Sequence, residues 1–182
     1  TGTQQKRPPV EGIEAAVFAI DVLNNPALAH AARNVVVVGG GEVGCETAYM
    51  LAHEQGKQVR VIEMLPNFMQ GACTANRGYL IHYLEQLGVE LFNCTRLVAM
   101  DAGKVTVERN VGKGVPDVYN TWTPLLPENI ENPLAPRLRE DWRREDWPAE
   151  LVVLAAGNRP ADELYHECRQ LLAAPEIRNI AD

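Results

Sequence analysis

The stretch Val35-Val36-Val37-Val38-Gly39-Gly40-Gly41-Glu42-Val43-Gly44-Cys45-Glu46-Thr47-Ala48 decides the reading of the chain. Four consecutive β-branched residues are expected of a strand buried on both faces of a parallel sheet. Beyond the glycines, Gly44, Ala48, Leu51 and Ala52 recur at helical spacing. They predict a helix over residues 42–55, stopped by Gly56. Between a strand and a helix, each glycine of Gly39-x-Gly41-x-x-Gly44 acquires a mechanical reason. Gly39 permits the tight turn, Gly41 lets the backbone approach a pyrophosphate, and Gly44 lets helix and strand pack closely. The pyrophosphate would rest on free N–H groups at the helix start, so Gly40, Glu42 and Val43 join the candidate contacts. A glycine-rich strand–helix turn without a ligand is the plain alternative.

Residues 58–62 form a second predicted strand, ending at Glu63, nineteen positions beyond Gly44. A carboxylate there accepts hydrogen bonds from an adenosine ribose and repels a 2′-phosphate, which favours NAD(H) over NADP(H). Lys57 and Arg60 lie near in sequence and leave room for a phosphate, and a solvated strand-end acid is the alternative reading of Glu63. Met64 follows it and is counted with the nucleotide contacts. A loop over residues 64–73, a helix over 74–87 and a strand over 89–92 complete strand–helix–strand–helix–strand, a mononucleotide-binding half. The fold class is therefore α/β: a Rossmann-type parallel sheet flanked by helices. Residues 151–154 resume the buried strand pattern and end in Ala155-Ala156-Gly157. Ligands in such sheets bind at the carboxyl ends of the strands. The small residues Ala156 and Gly157 would let a flat nicotinamide ring lie on backbone. A bare strand-to-loop turn explains them equally well.

Outward from this core, Ala15, Phe18, Ala19 and Val22 predict a short helix over residues 14–23. Residues 96–100 and 104–108 read as a small antiparallel β-meander. The stretch from 112 to 148 holds six of the twelve prolines and all three tryptophans, Trp122, Trp142 and Trp147. Within it, residues 134–146 predict a helix with Pro136 in its first turn. Its arginines alternate with Glu140, Asp141, Glu145 and Asp146, the pattern of a salt-linked face and not of a nucleic-acid patch. The chain then divides into a leading crossover (1–33), a nucleotide-binding core (34–112), an insertion (113–150), and a last core strand with its return segment (151–182).

A net charge of −7 argues against broad binding to nucleic acid or an anionic membrane. No apolar run approaches the roughly 20 residues that span a bilayer. The chain starts at Thr1 without Met or a signal core, as expected of a fragment or a processed chain. Cys45, Cys73, Cys94 and Cys168 include no C-x-x-C pair, and His30, His53, His82 and His166 form no metal-spaced pair. Free thiols in the cytoplasm are expected. Cys45 sits where a helix dipole lowers a thiol pKa, yet a packing role is expected because no partner residue is encoded nearby. Glu42 and Glu46 complement the helix dipole, and His53 and His82 are placed on helix surfaces. No residue of this chain is assigned a catalytic role.

The quoted run, together with Gly56-Lys57-Gln58-Val59 and Val61-Ile62-Glu63-Met64-Leu65-Pro66, resembles the NADH:flavin oxidoreductases of the 2,4-dienoyl-CoA reductase and enoate reductase type. Pro8-Pro9-Val10-Glu11-Gly12-Ile13 resembles the crossing from an FAD domain. The run from Leu154-Ala155-Ala156-Gly157-Asn158-Arg159-Pro160 to Tyr165 resembles the return. In Pro175 to Asp182, similar to the re-entry into the FAD domain, Ala181 replaces a usual glycine. The resemblance implies NAD(H) on this chain, with Gly39, Gly41, Gly44, Glu63 and Gly157 in contact. It further implies FAD, FMN and an iron–sulfur cluster on parts outside it. The implied partners are the FAD and FMN-barrel domains of a parent chain, and a homo-oligomer is compatible with it. Glu42, where relatives often carry an apolar residue, and the stretch from 112 to 148 depart from the pattern. Two further readings are the nucleotide domain of a disulfide reductase or NADH oxidase, and a non-catalytic nucleotide-binding interaction module.

Overall fold

A computed structural model describes residues 2–121, 130 and 137–170. In chain order the strands and helices are β1 (Thr3–Gln5), β2 (Val17–Phe18), α1 (Ala19–Asn24), β3 (Asn34–Val38), α2 (Glu42–His53), β4 (Gln58–Ile62), α3 (Thr74–Gln86), β5 (Glu90–Phe92), β6 (Thr95–Asp101), β7 (Lys104–Asn110), β8 (Trp142–Pro148), β9 (Leu151–Leu154), β10 (Asn158–Pro160) and α4 (Glu163–Gln170).

A five-stranded parallel sheet, in the order β2-β9-β3-β4-β5, forms the centre. The valine run lies in its middle strand. Val37 pairs with Val61 on one side and Val153 on the other. Alternation explains why all its residues are apolar: successive side chains point to opposite faces, and both faces are covered. Val35 and Val37 pack with Val22, Leu51, Ile81 and Leu84 in the cluster under α1, α2 and α3. Val36 joins Ile62, Val152 and Leu154 beneath Leu97, Val105, Val107 and Trp147. The latter residues belong to the three-stranded antiparallel sheet β6-β7-β8. Helices thus cover one face and the meander the other, in the α/β class expected.

Two expectations are corrected. The helix predicted over residues 14–23 is broken. Residues Ile13–Ala15 make one 3-10 turn, Ala16 turns extended, and only Ala19–Asn24 is helical. Val17 and Phe18 instead pair with Val153 and Leu154 as an edge strand, whose ladder hydrogen bonds outweigh one more helical turn. Ala19 and Val22 still face the core, both fully buried.

The helix predicted over residues 134–146 is contradicted where the structure describes it. Residues 137–141 are not helical, and Trp142 to Pro148 run antiparallel to β7 in unbroken register from Asn110 to Lys104. Its period is two: Trp147 turns inward onto Phe92, ring centroids 4.5 Å apart, while Arg144 faces Glu108 and Asp146 accepts the Thr106 hydroxyl. The charges read as a salt-linked helix face are cross-strand neighbours. Residues 134–136, Trp122 and residues 175–182 lie outside the described residues. One pairing was not foreseen: β1 and β10, the two crossing segments, form an antiparallel ribbon with Gln4 opposite Arg159. Among the described residues no helix is long and apolar enough to cross a membrane.

Candidate dinucleotide site

The turn between β3 and α2 sits at the carboxyl end of the sheet. Gly39 has φ of +112°, a conformation that side chains rarely adopt, and a Cβ there would overlap the Ala155 carbonyl. A Cβ on Gly44 would overlap the Gly39 carbonyl. These two glycines let the turn, α2 and the end of β9 touch. Gly41 differs: its φ of −72° suits any residue, and a Cβ would meet open space. Gly41 is also the N-cap of α2 and supplies no side-chain cap. The first-turn amides of Glu42 and Val43 are therefore presented outward.

Gly40 is locked on both sides. Its N–H donates to Glu63 Oε2 at 2.7 Å, and its carbonyl accepts the Met69 N–H at 2.7 Å. The other Glu63 oxygen, Oε1, accepts the Leu65 N–H at 2.8 Å. Glu63 is thus half-buried and fixed at the end of β4, bonded to the glycine turn itself. A carboxylate offers about four lone-pair positions, so two remain for hydroxyls of a ligand. Phe68, fully buried, lies where a Cβ on Gly40 would be. Met69, with φ of +51°, is buried beside it.

On the other side of the turn, a cleft of about 530 Å³ runs between Gly41-Glu42-Val43 and Ala155-Ala156-Gly157, with Phe18, Ile20 and Lys6 among its walls. Glu42, Val43, Ala156 and Gly157 are exposed along it. The Gly157 carbonyl accepts the Lys6 N–H at 3.0 Å, which ties β1 to the cleft. The structure therefore brings Gly39, Gly40, Gly41, Glu42, Val43, Gly44, Glu63, Ala156 and Gly157 to one end of the sheet. Met64 is adjacent but turned to solvent, 71% exposed. Lys57 and Arg60 are engaged elsewhere. Lys57 Nζ donates to the His30 carbonyl, and Arg60 pairs with Glu90 at 2.7 Å over the Trp147 ring. Neither faces Glu63 as a phosphate receptor would.

Cys45 lies directly under the turn, its Sγ 3.6 Å from the Gly40 carbonyl. Burial, reinforced by the charges of Glu63 and Glu46, pushes its thiol up to about 12. The helix dipole does not win here, and Cys45 is the packing residue expected. Burial and the Glu63 charge also push the Cys94 thiol up. The sequence reading missed Phe68 and Met69, which shape the turn from a loop with no periodicity to flag them, and Asn93, which follows β5 and bonds to that loop. Only the pairing of an aromatic with Met in an otherwise Pro- and Gly-bearing loop hinted at burial.

The layout defines a class: a Rossmann-like domain whose glycine turn and neighbouring strand end form one surface. The chain belongs to the pyridine nucleotide-disulphide oxidoreductase family, whose model matches residues 1–177. It is 39% identical over 114 residues to a bilirubin reductase of Mediterraneibacter gnavus, a match covering 62% of this chain and 17% of that protein. It is 37% identical over 93 residues to an NADH oxidase of Thermoanaerobacter brockii, covering 49% of this chain and 14% of that protein. Its fold is similar to a 2-naphthoyl-CoA reductase solved with 2-naphthoyl-CoA, with a TM-score of 0.65, 21% identity, and coverage of 91% of this chain and 20% of that one. The matches span a fifth or less of each of these relatives.

Proposed function

We propose that this chain is the NADH-binding domain of a larger flavin-dependent oxidoreductase of the 2,4-dienoyl-CoA reductase and enoate reductase type. The observation that carries this reading is the division of labour among the glycines. Gly39 and Gly44 are filled by their surroundings, whereas Gly41 and the first amides of α2 open onto the cleft. A pyrophosphate fits there, on backbone donors and the positive end of a twelve-residue helix. Glu63 then receives the adenosine ribose, and Ala156 and Gly157 lie beneath the nicotinamide. Bound NADH would supply a hydride to FAD held by another part of the parent protein. This chain's own contribution is to bind and orient. The donor amides fix the pyrophosphate, Glu63 fixes the adenosine end, and the small-residue turn leaves one nicotinamide face open.

The parent protein in this reading also carries an FMN barrel and an iron–sulfur cluster, and the FAD and FMN domains are the chain's partners. The length of the curated relatives supports it. So does the ribbon of β1 with β10, which brings both crossing segments to one place. The setting is cytoplasmic. A second reading is supported by the family match: the nucleotide domain of a disulfide-reductase-type flavoprotein without barrel or cluster. Calorimetric titration of the intact protein with NADH and NADPH tests the proposal. NADH is expected to bind more tightly, and absence of heat with both ligands would overturn it. Cofactor extraction from the same protein separates the two readings, since only the first yields FMN and iron.

A further inference from the structure

We infer that Asn93 is a positioning residue for the adenosine half of the nucleotide site, clamping residues 65–69 against the glycine turn from outside. The inference rests on the nucleotide-binding reading above.

Residues 65–69 have no regular structure, yet they shape the turn. Leu65 donates to Glu63 Oε1, Phe68 packs on Gly40, and Met69 donates to the Gly40 carbonyl while held at positive φ. A loop in such a conformation persists only when its surroundings over-determine it. Two residues following β5 supply that constraint. Cys94, itself at φ of +45°, donates its N–H to the Leu65 carbonyl at 3.1 Å. Asn93, 6% exposed, donates its side-chain amide to two backbone carbonyls: Pro66 at 2.7 Å and Pro116 at 2.9 Å. One buried amide group thus joins the loop to a segment fifty residues further along the chain.

Pro116 is a firm anchor. Just beyond it, Val118 packs against the main hydrophobic cluster and the Tyr119 hydroxyl donates to the Val89 carbonyl at 3.3 Å. Hence the start of the Pro- and Trp-bearing stretch, unexplained by the site so far, props the loop that props Glu63 and Gly40. The cleft at Ala156 and Gly157 includes none of residues 65–69. The clamp therefore acts on one half of the ligand only.

Asn93→Asp keeps size and shape but replaces the NH2 group that makes both bonds by one carboxylate oxygen facing two carbonyls. In the intact protein, binding of NADH, ADP-ribose and reduced nicotinamide mononucleotide would be measured by calorimetry. Amide hydrogen exchange would be followed by mass spectrometry in peptides covering residues 64–73 and 104–110. NADH and ADP-ribose are expected to weaken together, about tenfold, the range of a lost buried hydrogen bond. The mononucleotide should keep its affinity, and exchange should rise in 64–73 but not in 104–110. Equal loss for all three ligands, or unchanged NADH affinity with unchanged exchange, would overturn the clamp. If the unsubstituted protein binds none of the three, the nucleotide reading fails by itself. The exchange comparison then still decides whether Asn93 holds the loop. Asn93→Ala, which removes the donors without adding charge, is the variant to use if the Asp substitution does not fold.

Discussion

Glu63 Oε2 accepts the backbone N–H of Gly40 at 2.7 Å, so the acid that ends one strand is bonded to the turn that ends its neighbour. β3 and β4 are adjacent and in register, Val38 opposite Ile62, and the bond extends that pairing beyond the strands. Glu63 consequently does two things: it fixes the shape of the glycine turn and presents its remaining lone pairs at the carboxyl end of the sheet. Glu63→Gln retains one acceptor and points an amide N–H₂ at either Gly40 or Leu65, both donors. It is expected to weaken NADH binding about tenfold and to narrow the preference over NADPH. Glu63→Ala should weaken it further. Dissociation constants for both nucleotides, measured on the intact protein, check this; unaltered values would remove Glu63 from the site.

The glycines of the turn should separate by phenotype. Gly44→Ala drives a methyl into the Gly39 carbonyl, a backbone atom that cannot yield cheaply. A loss of about 3 kcal/mol or more is expected, visible in urea unfolding. Gly41→Ala meets no protein atom and adopts an ordinary backbone conformation. It should cost no more than about 1 kcal/mol of stability, as expected of Ala at an N-cap, while NADH affinity falls at least about tenfold, because the methyl would occupy the path of the proposed pyrophosphate. A Gly41→Ala protein that binds NADH normally would move the site elsewhere.

The thiols provide a test in pH. Burial raises the Cys45 thiol from its ordinary 9.0 to about 12, so the folded protein keeps it neutral where an unfolded chain ionises it. A group with a raised folded pKa contributes stability fully below its unfolded pKa. That contribution is lost as pH rises towards the folded value. Unfolding free energy should therefore decline between pH 9 and 12, and Cys45→Ala should flatten the slope. Urea midpoints across the alkaline range measure it. At pH 8, exposed Cys73 and half-exposed Cys168 should react with a thiol reagent, with Cys45 and Cys94 reacting only after denaturation. Rapid labelling of Cys45 in the folded protein would contradict its placement.

Trp147 and Trp142 should differ sharply although both lie on β8. Trp147 is 9% exposed and packs on Phe92 with its ring tilted by 41°, whereas Trp142 is 42% exposed beneath the Arg96 guanidinium. Trp147→Ala is expected to cost about 3–5 kcal/mol and Trp142→Ala no more than about 1 kcal/mol. Chemical denaturation of the two variants compares them directly. Equal losses would argue against the strand register.

What could be read from residues alone was local. A run of valines, three spaced glycines and a helical repeat are short-range signals, and the β3–turn–α2 unit lies where they place it. Glu63 was legible because its position is set by the length of a helix and a strand that the same signals define. The sheet's other face was not legible. Trp142 to Pro148 carry charges that suit a helix as well as a strand, and only pairing with β7, more than thirty residues earlier, selects the strand. Val17 and Phe18 likewise leave a helical pattern because β9, far along the chain, offers them an edge. The same holds for the site. The sequence by itself determined the glycine turn between β3 and α2 and the acid that ends β4. Tertiary structure alone decided that Phe68, Met69 and Asn93 hold that turn in shape. Propensity and periodicity act over a few residues, whereas the hydrogen bonds of Asn93 join segments that meet only once the core has closed.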